Sequence, residues 1–498
     1  MSERYEVIVA GSGAGGGIIA SELARAGREV LLLEAGPRLT ARDFTRWEAH
    51  ANHTIWFPVA FADSEDGGPP IAMIRGRVTG GTSTLNTKVA LRIIDEDYGK
   101  WHDAAGITGD CGEPFSEADL APHYERVERR LGVRPRADWQ QCVKTVAPAF
   151  ERAGVPLHPV DSYTDVNCTR CGSCLQGCPT NAGKNTFNVY IQDAVVNAGL
   201  TLKSESTVTR VVIEDRGNGL EAAGIEWTDA DGAAQSASAD IVVVAGGALA
   251  TPGILLRSGI RELAGNSQSS LQIGRHLGFH AAQIITGLFG EIQDAHDVYP
   301  ISAHSMQRMR DADGGYIIEA ATVQDPIGAS VALAREDGTP LWGQELVDVM
   351  RNYRRLNGLL TMANDENHGQ CVVDAKGRDR YSYRFTEREH RRIAESQAAA
   401  AAILRSAGAT QVFRTGVVST HVQGSCRMGS DPERSAVNSH AESHDVKRLF
   451  VGDSSVIPRV MSVNPSLTIM AMASRTAQYL IGEEHGYLPA AHPVAVTG

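Results

Sequence analysis

The stretch Val7-Ile8-Val9-Ala10-Gly11-Ser12-Gly13-Ala14-Gly15-Gly16 decides the fold. Four apolar residues in a row suit a strand buried on both faces, and G-x-G-x-x-G follows without a break. Gly11 allows the tight turn, Gly13 lets a pyrophosphate approach the backbone, and Gly16 lets a helix pack closely on the strand. The helix runs through Ile18, Leu23 and Ala26, and its N-terminus turns free N–H groups toward phosphate oxygens. A second strand, Leu31-Leu32-Leu33, ends at Glu34, where a carboxylate accepts from a ribose hydroxyl. From Tyr5 to Pro37, every part of a dinucleotide site occurs in order. The fingerprint alone does not separate NAD from FAD. Only one copy is visible, which argues against a reductase carrying both.

Working outward, Asp240 to Gly259 (DIVVVAGGALATPGILLRSG) reads as a buried parallel strand, a Gly-rich turn and a helix. A long helix is expected from Thr386 to about Ala407, with Thr386 and Glu389 as a capping box and Gly408 as a left-handed C-cap. Between Glu291 and Tyr383 lie short alternating segments such as RYSYRF, which look like antiparallel strands. The expected fold class is therefore α/β with a Rossmann-like dinucleotide-binding domain and a parallel sheet, at residues 1–40, 71–100, 200–290 and 411–484. A discontinuous mixed α+β substrate domain with an antiparallel sheet would take 41–70, 101–199 and 291–410.

Composition narrows the function. Hydrophobic residues make up 42% of the 498 residues, and 51 glycines lift the apolar share to that of a globular protein. The net charge is −12, and there is no Lys/Arg block. Such a chain repels phosphate backbones, so nucleic acid is excluded as a partner. No apolar run of about 18 residues exists to make a transmembrane segment. The chain enters a strand within a few residues of Met1, leaving no room for a secretion signal. Eight cysteines are too few for a disulfide scaffold. The expected location is cytoplasmic.

Further motifs carry a resemblance. Gly76-Arg77-Val78-Thr79-Gly80-Gly81-Thr82-Ser83-Thr84-Leu85-Asn86 resembles the flavin-contacting segment of the glucose–methanol–choline (GMC) oxidoreductases. Gly247-Ala248-Leu249-Ala250-Thr251-Pro252, continuing to Ser258-Gly259, resembles that family's second signature, with Arg261 in place of a usual glycine. His421-Val-Gln-Gly-Ser-Cys-Arg-Met-Gly429, Val451-Gly-Asp-Ser-Ser455 and Asn464-Pro465 are similar to its C-terminal catalytic block. The resemblance implies FAD as cofactor. Its contacts would be Gly11, Gly13, Gly16, Glu34, Arg77, Gly80, Gly81, Ser83, Asn86, Val208, Asp453 and Pro465. Where some members bear a flavin-linked histidine, this chain has Leu85, so FAD is expected to be held non-covalently.

The resemblance also assigns the chemistry. A small-molecule alcohol would be oxidised at its CH–OH group by hydride transfer to flavin N5, with dioxygen or an external acceptor taking the electrons. His421 would be the general base, since an imidazole titrating at about 6.5 suits removal of a hydroxyl proton. Asn464 would orient the substrate oxygen with a neutral amide. A non-redox lyase that keeps FAD, or a flavin electron-transfer module, are the alternatives.

Cys168-x2-Cys171-x2-Cys174-x3-Cys178-Pro179 has the spacing of a bacterial ferredoxin run. Three readings stand: an iron–sulfur cluster on Cys168, Cys171, Cys174 and Cys178 that would relay electrons, a structural zinc, or thiols that pack or form a disulfide.

Overall fold

Val7, Ile8 and Val9 are fully shielded from solvent, as are Ile241 to Val244, because both runs lie in the middle of a parallel sheet. The computed structural model describes residues 3–56, 59–320, 323, 325–482 and 485–488. Strand β1 (Glu3–Ala10) is flanked by β2 (Val30–Leu33) and by the Ala234–Val244 strand, both parallel to it. Thr201–Lys203 continues the parallel order beyond β2, and Leu449–Val451 does so beyond Ala234–Val244. The antiparallel pair Thr207–Asp215 and Leu220–Thr228 lines the first half of the Ala234–Val244 strand. Helix α1 (Gly16–Arg25) packs against the Ser466–Ile481 helix, which packs in turn on Glu117–Leu131. This is the Rossmann-like layer read from the glycine motif.

A second sheet is mostly antiparallel. Its centre is Ala281–Leu288, Leu356–Ala363 and Tyr316–Ala320, with Ala303–Ser305 beyond. Side chains alternate across it. Ile285, Leu359, Ile318 and Ala320 share a core with Ile403 and Leu404 of the Glu387–Ser406 helix. On the other face, Ala282, Met362 and Ile317 belong to the core that includes the first sheet. The second sheet thus presents one face to a helix and the other toward the dinucleotide layer. Any chemistry between the layers must stand on that second face.

Sheet membership departs from the expected boundaries. Ile71–Met73, Ala281–Leu288, Gln411–Arg414 and Val418–Ser419 all pair within the second sheet, although those numbers were expected in the dinucleotide-binding domain. Local pattern marks a strand, but its ladder partner is set by register with distant segments. The RYSYRF strand, Asp379–Tyr383, pairs antiparallel with Gln370–Val373 and parallel with Ala60–Ser64. Among the described residues, no helix is long and apolar enough to cross a membrane.

The long helix begins where expected. Thr386 Oγ1 accepts from Glu389 N at 3.2 Å, Glu389 Oε2 accepts from Thr386 N at 2.5 Å, and Gly408 has φ +103°. Removing the cap hydroxyl leaves a helix N–H without its acceptor. Thr386→Ala is expected to lower unfolding stability by ~1 kcal/mol, seen as a lower urea midpoint. An unchanged midpoint would show that the cap contributes nothing.

Candidate active site

The cradle is built from three glycine turns tied together by buried polar groups. Gly11 N donates to Leu33 O at 2.7 Å, closing the first turn against β2. A Cβ on Gly16 would collide with the carbonyl of Gly11, and one on Gly81 would stand 2.8 Å from Gly13 Cα. Beside Gly13 the space is open, which leaves a bare backbone edge at the start of α1 for phosphate groups. Glu34 is buried and accepts from Ser12 N (3.0 Å), Ser12 Oγ (2.5 Å) and Gly36 N (2.8 Å). Burial raises its pKa, and the Ser12 hydrogen bonds oppose that rise. Ser12 Oγ also accepts from Gly80 N at 2.9 Å, so one hydroxyl joins the first turn to the second.

The second turn is braced from beneath. Ser83 Oγ donates to Gly80 O at 2.6 Å and lies 2.9 Å from Thr186 Oγ1, which reaches Ser12 O at 3.2 Å. Lys88, fully buried, donates to Ser83 O at 2.6 Å and to Thr84 O at 3.1 Å. Burial pushes its ammonium down to about 8. Asn86 donates to Tyr163 OH at 2.6 Å and to Ser466 Oγ at 3.3 Å, tying this turn to the helix that begins after Pro465. Arg77 is exposed and near enough to Glu34 to favour its charged form. Leu85 is fully buried in an apolar cluster with Phe44, Ala51, Ile55 and Val78.

The third turn hangs on Asp453. Its carboxylate accepts from Gly247 N (2.8 Å), Thr251 Oγ1 (2.5 Å) and Ser455 N (2.7 Å), and burial raises its pKa. Val208 lies on the Thr207–Asp215 strand, opposite Trp227.

His421 follows the short Val418–Ser419 strand, and Asn464 precedes the Ser466–Ile481 helix. Gln423 links their segments, donating to His421 O at 3.0 Å and accepting from Met461 N at 3.4 Å. The His421 ring is half-buried, and desolvation pushes its pKa down to about 4. It is therefore neutral, and able to accept a proton, across the neutral range. Asn464 is buried, and its Oδ1 has no hydrogen-bond partner within the protein.

Two residues at this site were missed from the sequence. His280 places Nδ1 3.2 Å from Nδ1 of His421. Glu319 is fully buried, with its carboxyl beside the Asn464 side chain. Burial pushes it up to about 8, and the neighbouring Asn464 side chain opposes that shift. Register sets Glu319 on the second sheet opposite His304 on one side and Leu360 on the other. Its signal was one acid inside the apolar run Tyr316-Ile317-Ile318-Glu319-Ala320; for His280 no motif gives warning. Buried polar atoms without partners are uncommon and unfavourable. Glu319, with Asn464 beside it, stands on the sheet face that meets the dinucleotide layer.

The cysteine segment does not meet the iron–sulfur expectation. Cys168, Cys171, Cys174 and Cys178 line one narrow space together with Thr164, Gly183 and Tyr299. Among the described residues no three His, Cys, Asp or Glu side chains form a group that could hold a metal. The local packing explains why. Cys178 Sγ accepts from Gly183 N at 3.2 Å, Cys171 Sγ lies 3.1 Å from Ser173 Oγ, and Tyr299 fills the wall. The zinc reading falls with the cluster. All eight cysteines are free thiols, so packing is the reading that remains.

The GMC oxidoreductase family model matches this chain over residues 6–282 and again over 344–473. A long-chain-alcohol oxidase of Arabidopsis thaliana is 24% identical, over 94% of this chain and 66% of its own length. The chain thus spans just under two thirds of the plant protein. Paromamine 6'-oxidase of Streptomyces fradiae is 26% identical over 96% of this chain and 92% of its own. Among solved structures, pyridoxine 4-oxidase from Mesorbium loti superposes with a TM-score of 0.72 at 18% identity, covering 95% of this chain and 99% of that one. Formate oxidase of Aspergillus oryzae gives 0.69 at 14% identity, covering 97% and 99%. At these identities the structural likenesses speak for the fold.

Purified protein is expected to contain iron, zinc and acid-labile sulfide at far below one equivalent per chain. One equivalent or more of any of them, by elemental and sulfide assay, would overturn the packed-thiol assignment.

Proposed function

Because the chain belongs to the GMC oxidoreductase family, we propose that it is an FAD-dependent enzyme that oxidises the CH–OH group of a small-molecule alcohol. What supports the reading is a neutral, half-buried imidazole at His421, joined through Gln423 to the segment that leads to Asn464, whose amide oxygen has no partner within the protein.

The cradle fits the cofactor. The open edge at Gly13, between Gly11 and Gly16, would take the pyrophosphate, with Glu34 at the ribose. Arg77, Gly80, Gly81, Ser83 and Asn86 would hold the flavin side, with Val208, Asp453 and Pro465 completing the contacts. Leu85 has no atom that could bond to the cofactor, so binding is non-covalent in this proposal. FAD, when bound, supplies the hydride acceptor at N5.

The protein's own part is proton handling and orientation. Nδ1 of His421 faces His280, so Nε2 is the atom left to receive the hydroxyl proton. The Asn464 amide orients the substrate oxygen without competing for that proton. Glu319, held neutral at physiological pH, has an O–H to donate to a further polar group of the alcohol. The relatives named above are oxidases, and dioxygen is the proposed final acceptor. Hydrogen peroxide formed with an alcohol under air tests this; turnover with artificial acceptors alone would assign a dehydrogenase.

His421→Ala is expected to keep its flavin and lose roughly 10²- to 10⁴-fold in turnover, read as the rate at which alcohol bleaches the flavin under argon. Near-native bleaching would remove His421 from the reaction. A base must be deprotonated to act, so kcat/KM should stay level near neutral pH and fall as the pH drops toward about 4. Denaturation with acid or urea should release all flavin into the supernatant, and yellow pelleted protein would contradict non-covalent binding.

A further inference from the structure

His280 belongs to no motif, yet it touches the residue on which the proposed reaction depends. Its ring is fully buried, 5.3 Å from the His421 ring between centroids and tilted 32° to it. The 3.2 Å contact joins Nδ1 to Nδ1. Two neutral imidazoles meeting this way must divide the roles, one donating and the other accepting. If His280 donates, His421 carries its proton on Nε2 and has no lone pair there. If His421 donates, its Nε2 is free to accept. Only the second arrangement lets His421 gain a proton at Nε2 without breaking the contact, and the hydrogen bond strengthens once the ring is charged.

The backbone is arranged to hold the acceptor ring in place. His280 has φ +50°, a left-handed conformation uncommon for a residue with a side chain. That conformation is secured by Asp365 Oδ2, which accepts from Phe279 N at 2.6 Å and from His280 N at 2.7 Å. Ser419 Oγ donates to Phe279 O at 2.6 Å and accepts from His421 N at 3.4 Å, so one hydroxyl ties both histidine segments. His421 across the contact and Asp365 behind the backbone are the titratable groups against His280 in these interactions. Burial keeps the His280 pKa well below its ordinary value, with the His421 charge acting in the same direction. The ring thus stays an uncharged acceptor when its neighbour becomes an imidazolium.

We propose that His280 is a positioning residue whose Nδ1 accepts from Nδ1–H of His421 and so holds His421 in the tautomer with Nε2 open to the substrate proton. The assignment rests on His421 being the base.

The test compares holoenzyme carrying His280→Leu, His280→Asn and His421→Ala, each checked for flavin content and thermal midpoint. His280→Leu removes the acceptor; kcat is expected to fall roughly 10- to 100-fold, as when an outer-shell partner is lost, with KM little changed. His280→Asn offers Oδ1 as a replacement acceptor and should recover most of the native kcat. Native kcat in His280→Leu overturns the proposal, as does an Asn variant no better than Leu with its flavin retained. Should His280→Leu not fold, the Asn variant decides alone: near-native kcat supports the proposal, and a loss beyond about 10-fold with flavin bound overturns it. If His421→Ala itself turns over normally, it is the assignment of the base that fails. A dead His421→Ala beside a native His280→Leu rejects the positioning role only.

Discussion

Three glycine turns that approach one another this closely must be held at a fixed spacing, and here two buried carboxylates do the holding. Glu34 gathers Ser12 and Gly36, while Asp453 gathers Gly247, Thr251 and Ser455. Each takes three hydrogen bonds in surroundings that disfavour its charge, and hydrogen bonds to a charged group contribute ~1.5–3 kcal/mol apiece. Without either carboxylate, backbone N–H groups at the turns would lose their acceptors inside the protein. Ser12 passes the constraint onward, since its hydroxyl also accepts from Gly80 N. The glycines permit the approach of the turns; the acids decide where the approach stops.

The same logic of burial governs the other side of the site. His421 and His280 are kept neutral by desolvation, and Glu319 is kept protonated by it. Burial thus yields two uncharged bases beside the ends of second-sheet strands and one uncharged acid within that sheet. Charged forms there would be unfavourable until a ligand or a transferred proton compensated them. This separates the two layers in character. The cradle carries acidic side chains satisfied by the protein, while the facing side carries neutral polar groups.

Much of this was legible in the chain, and the limits have physical reasons. β1, α1 and β2 could be read because apolar runs, glycine spacing and a terminal acid are all local. The Thr386–Glu389 cap and Gly408 were legible for the same reason. The membership of Ala281–Leu288 was not, since its partners lie at Leu356–Ala363 and Gln411–Arg414. His421 and Asn464 were proposed from motif order. His280 was invisible because its importance arises from a fold contact across 141 residues of sequence. The cysteine spacing misled in the opposite direction: the regular expression was correct, but Gly183 and Tyr299 pack the interior that a cluster would need.

The way the two sheets share the chain bears on how the molecule is made. β1 sits at the centre of its sheet, yet one flank comes from Ala234–Val244, and that strand's outer neighbour, Leu449–Val451, is supplied near the other end of the described chain. Between them the polypeptide leaves to build most of the second sheet and returns. Neither layer is therefore built from one continuous segment of the chain. Pairings this remote in sequence make for slow assembly, and the edge of Ala234–Val244 has no strand partner there until Leu449–Val451 has been made.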